Sequence, residues 1–371
     1  MKVAFGPEIF LHQKYGGITR YFAKLAEGLP TYGVRTSICS PLYLSPLISN
    51  LSRARTLGRH ISSLPNRGSG AVRFVNNLAG RTLAQSLRPD IFHSTYFSFL
   101  DYLPWHGQKV VTVYDMNYEL AGVIDAPENH PVRRKKLASV SKADLILTIS
   151  NKTKEDLLEI FPWLDEWRVR VTHLGVDDPD STFFNLKDRN EDPFLLYVGP
   201  REGYKNAKAL TLALARLSEE VRGSLRLVFF GGPTLSESEY TDLALAGVPR
   251  CNVSQKFGDD SALEMHYRTA LALVYTSRYE GFGLPIIEAM SHGCPVICGD
   301  DSVFPEVAGE AAILVDTSSP TQIATAIMHL LGSSAETARL SQLGKERAAA
   351  FSWANCVEET LNAYRYLSNV R

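Results

Sequence analysis

A chain of 371 residues is long for one domain and ordinary for two, and its 45% hydrophobic and 21% charged content matches a water-soluble globular protein. The formal net charge of −1 offers nucleic acid no global field. No apolar run of about eighteen residues or more is present to span a bilayer.

The opening Met1-Lys2-Val3-Ala4-Phe5-Gly6 reads as a first buried strand entering a glycine turn, not as a signal peptide. Short Val/Ile/Leu-rich runs then alternate with segments of helical period. In the first half these predict strands at Val3–Phe5, Val34–Cys39, Asp90–His93, Val110–Tyr114 and Asp144–Ile149. In the second half they predict Phe194–Val198, Leu225–Phe230, Ala272–Tyr275, Pro295–Cys298 and Ala312–Val315. Two such series imply an α/β protein with two doubly wound, parallel-sheet domains. Residues 41–80 read as an irregular, mobile insertion.

A polar stretch bracketed by prolines, Asp177 to Pro193, marks the boundary. The expected division is 1–180, 190–352 and a terminal helix, 353–371. Asp178-Pro179-Asp180 has the Asp-x-Asp spacing of some metal-dependent transferases. It does not end a buried strand, so it reads as linker acid.

Five scattered cysteines (Cys39, Cys251, Cys294, Cys298 and Cys356) argue against a disulfide framework and for a reducing cytoplasm. Cys294 and Cys298 lack a second Cys/His pair nearby, so they read as buried strand residues rather than metal ligands.

Between Glu27 and Asp90 there is no acid but eight arginines. A second basic cluster is Arg133-Arg134-Lys135-Lys136. Either is a solvated face or a surface for anionic lipid or an anionic acceptor.

The segment richest in chemistry is Tyr279-Glu280-Gly281-Phe282-Gly283-Leu284-Pro285-Ile286-Ile287-Glu288-Ala289-Met290. Its glycines permit a tight loop after a strand, and Pro285 suits the first turn of a helix. A helix opened this way after a parallel strand attracts an anion such as a diphosphate. Glu280 stands before the loop, where a sugar would lie. Glu288 sits a turn into the helix, where a carboxylate can accept from two vicinal ribose hydroxyls. Singly these would be capping or surface acids.

In Tyr197-Val198-Gly199-Pro200-Arg201-Glu202-Gly203-Tyr204-Lys205-Asn206, Arg201 and Lys205 can clamp phosphates, one as a fork and one as a point charge. Tyr15-Gly16-Gly17-Ile18-Thr19-Arg20 is a weaker glycine entry to a helix. His93, Tyr114 and Asp115 end strands of the first half, at the edge where α/β sites form. His93 there is either a core histidine or a ligand.

The pattern Glu, seven residues, Glu around Gly-Phe-Gly-Leu-Pro resembles the donor-site signature of family-4 glycosyltransferases. These are retaining enzymes of the GT-B fold, two Rossmann-like domains facing a deep cleft. The resemblance implies that Glu280 touches the donor sugar and Glu288 the ribose. It implies that backbone groups of Phe282, Gly283 and Leu284 meet sugar and phosphates, and that Arg201 and Lys205, beside Gly199, stabilise the leaving diphosphate without a metal or other cofactor. It further implies that Gly16 and Gly17 lie against the donor phosphates, that Phe257 walls the base, and that His93, Tyr114, Asp115 and Ser150 serve the acceptor. The family often has histidine where Tyr114 stands.

Asp115 is a further candidate for orienting the acceptor or acting as a base. The expected partners are a GDP- or UDP-hexose, with GDP-mannose favoured, and a glycan or lipid-linked acceptor of bacterial surface polysaccharide. A nucleotide-sugar epimerase or a non-catalytic nucleotide-sugar-binding subunit on the same fold is the alternative.

Overall fold

The computed structural model describes residues 1–177 and 193–370, so most of the boundary stretch, with Asp178-Pro179-Asp180, lies outside the described residues. The chain forms two compact units. The first comprises Met1–Glu119, Asp125–Gly175 and the segment from Trp353 onward; the second comprises Leu120–Ile124 and Val176–Ser352.

The first unit runs β1 (Lys2–Phe5), α1 (Gly17–Gly28), β2 (Arg35–Tyr43), β3 (Arg55–His60), α2 (Ser69–Ser86), β4 (Ile91–Ser94), β5 (Gln108–Val113), α3 (Pro131–Lys142), β6 (Leu145–Thr148), α4 (Asn151–Ile160) and β7 (Val169–Val171). The sheet order is β3-β2-β1-β4-β5-β6-β7, and every pairing is parallel. Right-handed crossovers place α1 on one face and α2, α3 and α4 on the other. The central strands are buried on both faces, as their unbroken Val/Ile/Leu runs require.

The second unit runs β8 (Phe194–Val198), α5 (Ala207–Leu214), α6 (Glu219–Ser224), β9 (Arg226–Phe230), α7 (Glu237–Leu245), β10 (Val253–Lys256), α8 (Asp260–Thr269), β11 (Ala272–Tyr275), α9 (Leu284–Ser291), β12 (Val296–Gly299), α10 (Phe304–Ala308), β13 (Ile313–Val315), α11 (Pro320–Gly332) and α12 (Ser334–Ala349). Its parallel order is β10-β9-β8-β11-β12-β13. The last helix, α13 (Trp353–Asn369), packs beside α1 in the first unit.

Residues 41–80, read as an irregular insertion, instead supply the end of β2, all of β3 and the first two-thirds of α2. None of the five cysteines forms a disulfide; Cys251 is exposed and the other four are buried. No helix among the described residues is long and apolar enough to cross a membrane.

His93, expected among the acceptor ligands, is a core residue. It is fully buried, with Nδ1 2.6 Å from the Tyr364 hydroxyl of α13 and Nε2 2.8 Å from Thr112 Oγ1 of β5. Burial pushes its imidazole down to about 3, so it stays neutral and ties α13 to the sheet. Both ring nitrogens are occupied, and no surface remains for a ligand.

Ser150 is likewise buried. Its Oγ accepts from Thr153 N at 3.0 Å and caps α4, which removes it from the acceptor set. Tyr114 points inward, its hydroxyl donating to the Thr95 carbonyl at 3.3 Å, so it presents no group to a sugar.

A buried acid that looked unremarkable in sequence sits after β1. Glu8 Oε2 accepts from Thr95 N and Thr95 Oγ1, each at 3.0 Å, and no cation pairs with it among the contacts described. Burial first, and then the Asp101 carboxylate, push its carboxyl up to about 7. The folded pKa lies above the unfolded one. The protonated carboxyl therefore favours folding below the unfolded value of 4.5, and this contribution is lost as pH rises through about 7. Glu8→Gln is expected to remove a stability loss of about 3 kcal/mol between pH 4.5 and 8. Denaturant midpoints of wild type and variant at the two pH values measure it; parallel pH profiles would refute it.

Candidate donor site of the second unit

The strands flanking the point where the order of the second sheet reverses are β8 and β11, neighbours paired through Leu195–Ala272 and Leu196–Leu273. Open α/β sheets bind ligands at the carboxyl ends of such strands. Gly199, Arg201 and Lys205 follow β8; Glu280 to Leu284 follow β11. Hydrogen bonds join the two loops. Thr276 Oγ1 donates to the carbonyls of Lys205 (3.3 Å) and Asn206 (3.0 Å), and Arg278 N donates to the Tyr204 carbonyl at 2.8 Å. Tyr197, within β8, donates to the Pro200 and Lys205 carbonyls and holds the first loop from below.

Lys205 Nζ lies 2.5 Å from Glu280 Oε1, and the Tyr275 hydroxyl donates to the same oxygen at 2.8 Å. Burial, and then the Glu280 carboxylate, hold the Tyr275 hydroxyl protonated well above its ordinary range. An ammonium has three donors. Glu280 takes one, and two remain for an anion. With two donors on one oxygen, the Glu280 side chain is held in a fixed orientation.

Arg201 is buried and oriented by three contacts. Nε lies 2.5 Å from Glu239 Oε1, Nη2 3.4 Å from Glu239 Oε2, and Nη2 donates to the Pro233 carbonyl at 2.6 Å. Burial raises the Glu239 carboxyl, but the hydrogen bonds from Arg201 and Ser236 outweigh it and hold the group below the usual range. Arg201 Nη1 is buried with no hydrogen-bond partner among the described residues. A buried guanidinium nitrogen left open this way suits an anionic ligand. Gly232 (φ +71°) closes over it; a Cβ there would stand 2.6 Å from the Gly199 carbonyl and 3.0 Å from Nη1.

Gly283 takes φ +89° and caps α9, which begins at Leu284 with Pro285 in its first turn. Glu288 lies one turn on, half-buried, with Oε2 accepting from the buried Tyr267 hydroxyl at 3.2 Å. The Phe282 ring is buried against Phe351 and presents no side chain to a ligand. Phe257, just after β10, exposes its ring.

The remaining candidates lie in the first unit. Gly16 caps α1 and Gly17 opens it. Asp115, after β5, is partly exposed; its Oδ1 accepts from Asn117 N at 3.1 Å. The buried Lys136 donates to its carbonyl at 2.8 Å while pairing with Glu119 at 2.6 Å. No group of three potential metal ligands gathers among the described residues.

Two family profiles match consecutive parts of the sequence: Glycosyltransferase Family 4 over residues 15–179 and Glycosyl transferases group 1 over residues 178–347. O-antigen chain mannosyltransferase B of Escherichia coli is 30% identical over 292 residues, covering 75% of this chain and 74% of that one. The chain belongs to the family-4 glycosyltransferases.

An MMP alpha-(1->4)-mannosyltransferase of Mycolicibacterium hassiacum is 29% identical over 226 residues, 59% of this glycosyltransferase and 53% of that relative. The sucrose-phosphate synthase of Thermosynechococcus elongatus shares the GT-B fold at a TM-score of 0.73 and 20% identity, covering 100% of this chain and 99% of that one. The Anabaena protein HepE, solved with UDP-glucose, does so at 0.71 and 14% identity, covering 98% and 99%.

The motif residues of this glycosyltransferase depend on three side chains and one backbone carbonyl that the sequence did not mark for these roles. Glu239 and Pro233 aim Arg201, Tyr275 fixes Glu280, and Tyr267 supports Glu288. Gly231-Gly232-Pro233 after β9 was a readable signal for the first group.

Proposed function

We propose that this glycosyltransferase moves a hexose, mannose or a close relative, from a nucleotide diphosphate sugar to a glycan or lipid-linked glycan, with retention at the anomeric carbon. One observation carries the donor half of the reading. Two hydrogen-bonded loops at the sheet reversal bring a buried guanidinium nitrogen without a hydrogen-bond partner among the described residues (Arg201), an ammonium with two spare donors (Lys205) and two supported carboxylates into one unit. The mannosyltransferase relatives favour mannose, while the UDP-glucose complex of a fold neighbour makes the uridine donors the natural comparison.

In this reading Glu288 binds the ribose, Phe257 stacks on the base, and Glu280 receives a hydroxyl of the sugar. Arg201 and Lys205 offset the charge that grows on the leaving phosphate, which needs no metal at that position. The acceptor lies on the first unit near Asp115. A phosphate oxygen of the departing nucleotide takes the acceptor proton on the face where the new bond forms.

A panel of GDP- and UDP-sugars in melting assays tests the donor. The true donor at a hundredfold excess over its Kd is expected to stabilise the protein by about 2.7 kcal/mol. Glu288→Ala, losing a charged hydrogen-bond acceptor, is expected to weaken donor binding about 10- to 100-fold. No shift with any nucleotide sugar, or an undiminished shift in the variant, would overturn the assignment. Release of free nucleotide only when an alcohol acceptor is added separates transfer from epimerisation.

A further inference from the structure

Exposed apolar side chains gather over one set of neighbouring elements in the first unit. α2, the 3-10 turn Phe99–Tyr102 and α3 lie on the side of the sheet opposite α1. Asp101 pins them together, accepting from Arg81 of α2 at 3.2 Å and from Ser139 of α3 at 2.6 Å. Across these elements Phe74, Val75, Leu78, Phe99, Tyr102 and Leu137 are each 39–62% exposed. Phe74 and Leu78 are one helical turn apart and so share a stripe. Exposed apolar side chains normally occur singly; a run of them over neighbouring elements marks an interaction surface.

The charge on this face has one sign. The three elements contain a single acidic residue, Asp101, and it is buried. Cations stand over the exposed rings: Arg134 is 5.5 Å and Lys135 5.9 Å from the Phe99 centroid, and Lys142 is 5.9 Å from that of Tyr102. The centre of a protein–protein interface is depleted in lysine. A ring below and a cation above is instead the arrangement of a bilayer interface, with the ring at the acyl boundary and the cation at phosphate level.

We infer that this face docks on an anionic lipid surface, with Phe74, Leu78, Phe99 and Tyr102 entering the headgroup boundary and Arg134, Lys135 and Lys142 meeting lipid phosphates. Thus α2 contributes apolar side chains, its Arg81 being buried against Asp101, and the later basic cluster contributes charge through α3. The inference goes beyond the transfer reaction and does not depend on it, since vesicle binding is measured without donor or acceptor.

Co-sedimentation of the full chain with phosphatidylcholine vesicles, with and without phosphatidylglycerol, provides the test. Binding is expected only with phosphatidylglycerol, and weaker in high salt. Arg134→Gln with Lys135→Gln is expected to reduce partitioning about five-fold per charge. Phe74→Ser with Leu78→Ser is expected to reduce it about ten-fold or more. Because all four side chains are at the surface, melting temperatures are expected to stay unchanged. Absence of binding by the wild type, or equal binding by both double variants, overturns the proposal. So does a concentration-dependent dimer, abolished by the Phe74/Leu78 pair, in a protein that ignores vesicles; the face would then join two copies of the chain.

Discussion

Arg201→Met is expected to lower the turnover of sugar transfer about 10²–10³-fold, the loss typical of removing one fixed donor from a developing negative charge. The fold should tolerate the change. Glu239, left without its partner, is only about two-thirds buried, and its Oε2 still accepts from Ser236 N at 2.8 Å. Arg201→Lys should rescue little. An ammonium on a shorter reach cannot bond Glu239 and the Pro233 carbonyl and still direct a further donor outward, as the planar fork does. Steady-state kinetics with the donor selected by melting decide the matter. A turnover within a few-fold of wild type would remove Arg201 from the chemistry. A raised KM with unchanged kcat would reduce it to a binding residue.

The second large effect is on stability. Asp101→Ala is expected to destabilise the first unit by about 3–5 kcal/mol, the usual consequence of stranding a buried charge. For a unit of this size that is roughly a 10 °C fall in its melting temperature. The stranded group is Arg81, whose guanidinium is buried against the paired Phe92 and Trp105 rings with Asp101 as its counter-ion. Ser94 and Ser139 lose their acceptor as well. Adding Arg81→Met removes the orphaned charge and should recover much of the loss. Calorimetry of the three proteins tests this, and a single variant melting within two or three degrees of wild type would refute it.

The strands missing from the sequence reading have something in common. β3, β7 and β10 are all edge strands, paired on one side only. Their sequences, Arg-Thr-Leu-Gly-Arg-His, Val-Arg-Val and Val-Ser-Gln-Lys, carry the polar residues that an edge uses to discourage further pairing, and these erase the apolar run that betrays a central strand. The interior strands were legible because burial on both faces leaves no such freedom.

The site divides in the same way. Glu280, Glu288, Arg201 and Lys205 stand in local patterns of glycine, proline and charge that loop and helix physics can interpret. The residues that aim them do not. Glu239 lies 38 positions from Arg201. In sequence it reads only as the last member of a Ser-x-x-Glu helix cap, a role it does fill. His93 shows the opposite failure. Its place at a strand end suggested a ligand, yet the side chain faces the core, where α13 from the far end of the chain receives it.

That helix has a consequence for how the protein is made. Translation delivers the whole of Val176–Ser352 before Tyr364 and Leu367 exist. Until they emerge, His93 lacks its Tyr364 hydroxyl, and Gln108 lacks the Leu367 carbonyl it bonds at 2.9 Å. The half synthesised first is therefore the half completed last. The second unit, nearly continuous in sequence, can close on the ribosome while the first waits, its sheet bare where α13 will lie, for the final turns of the chain.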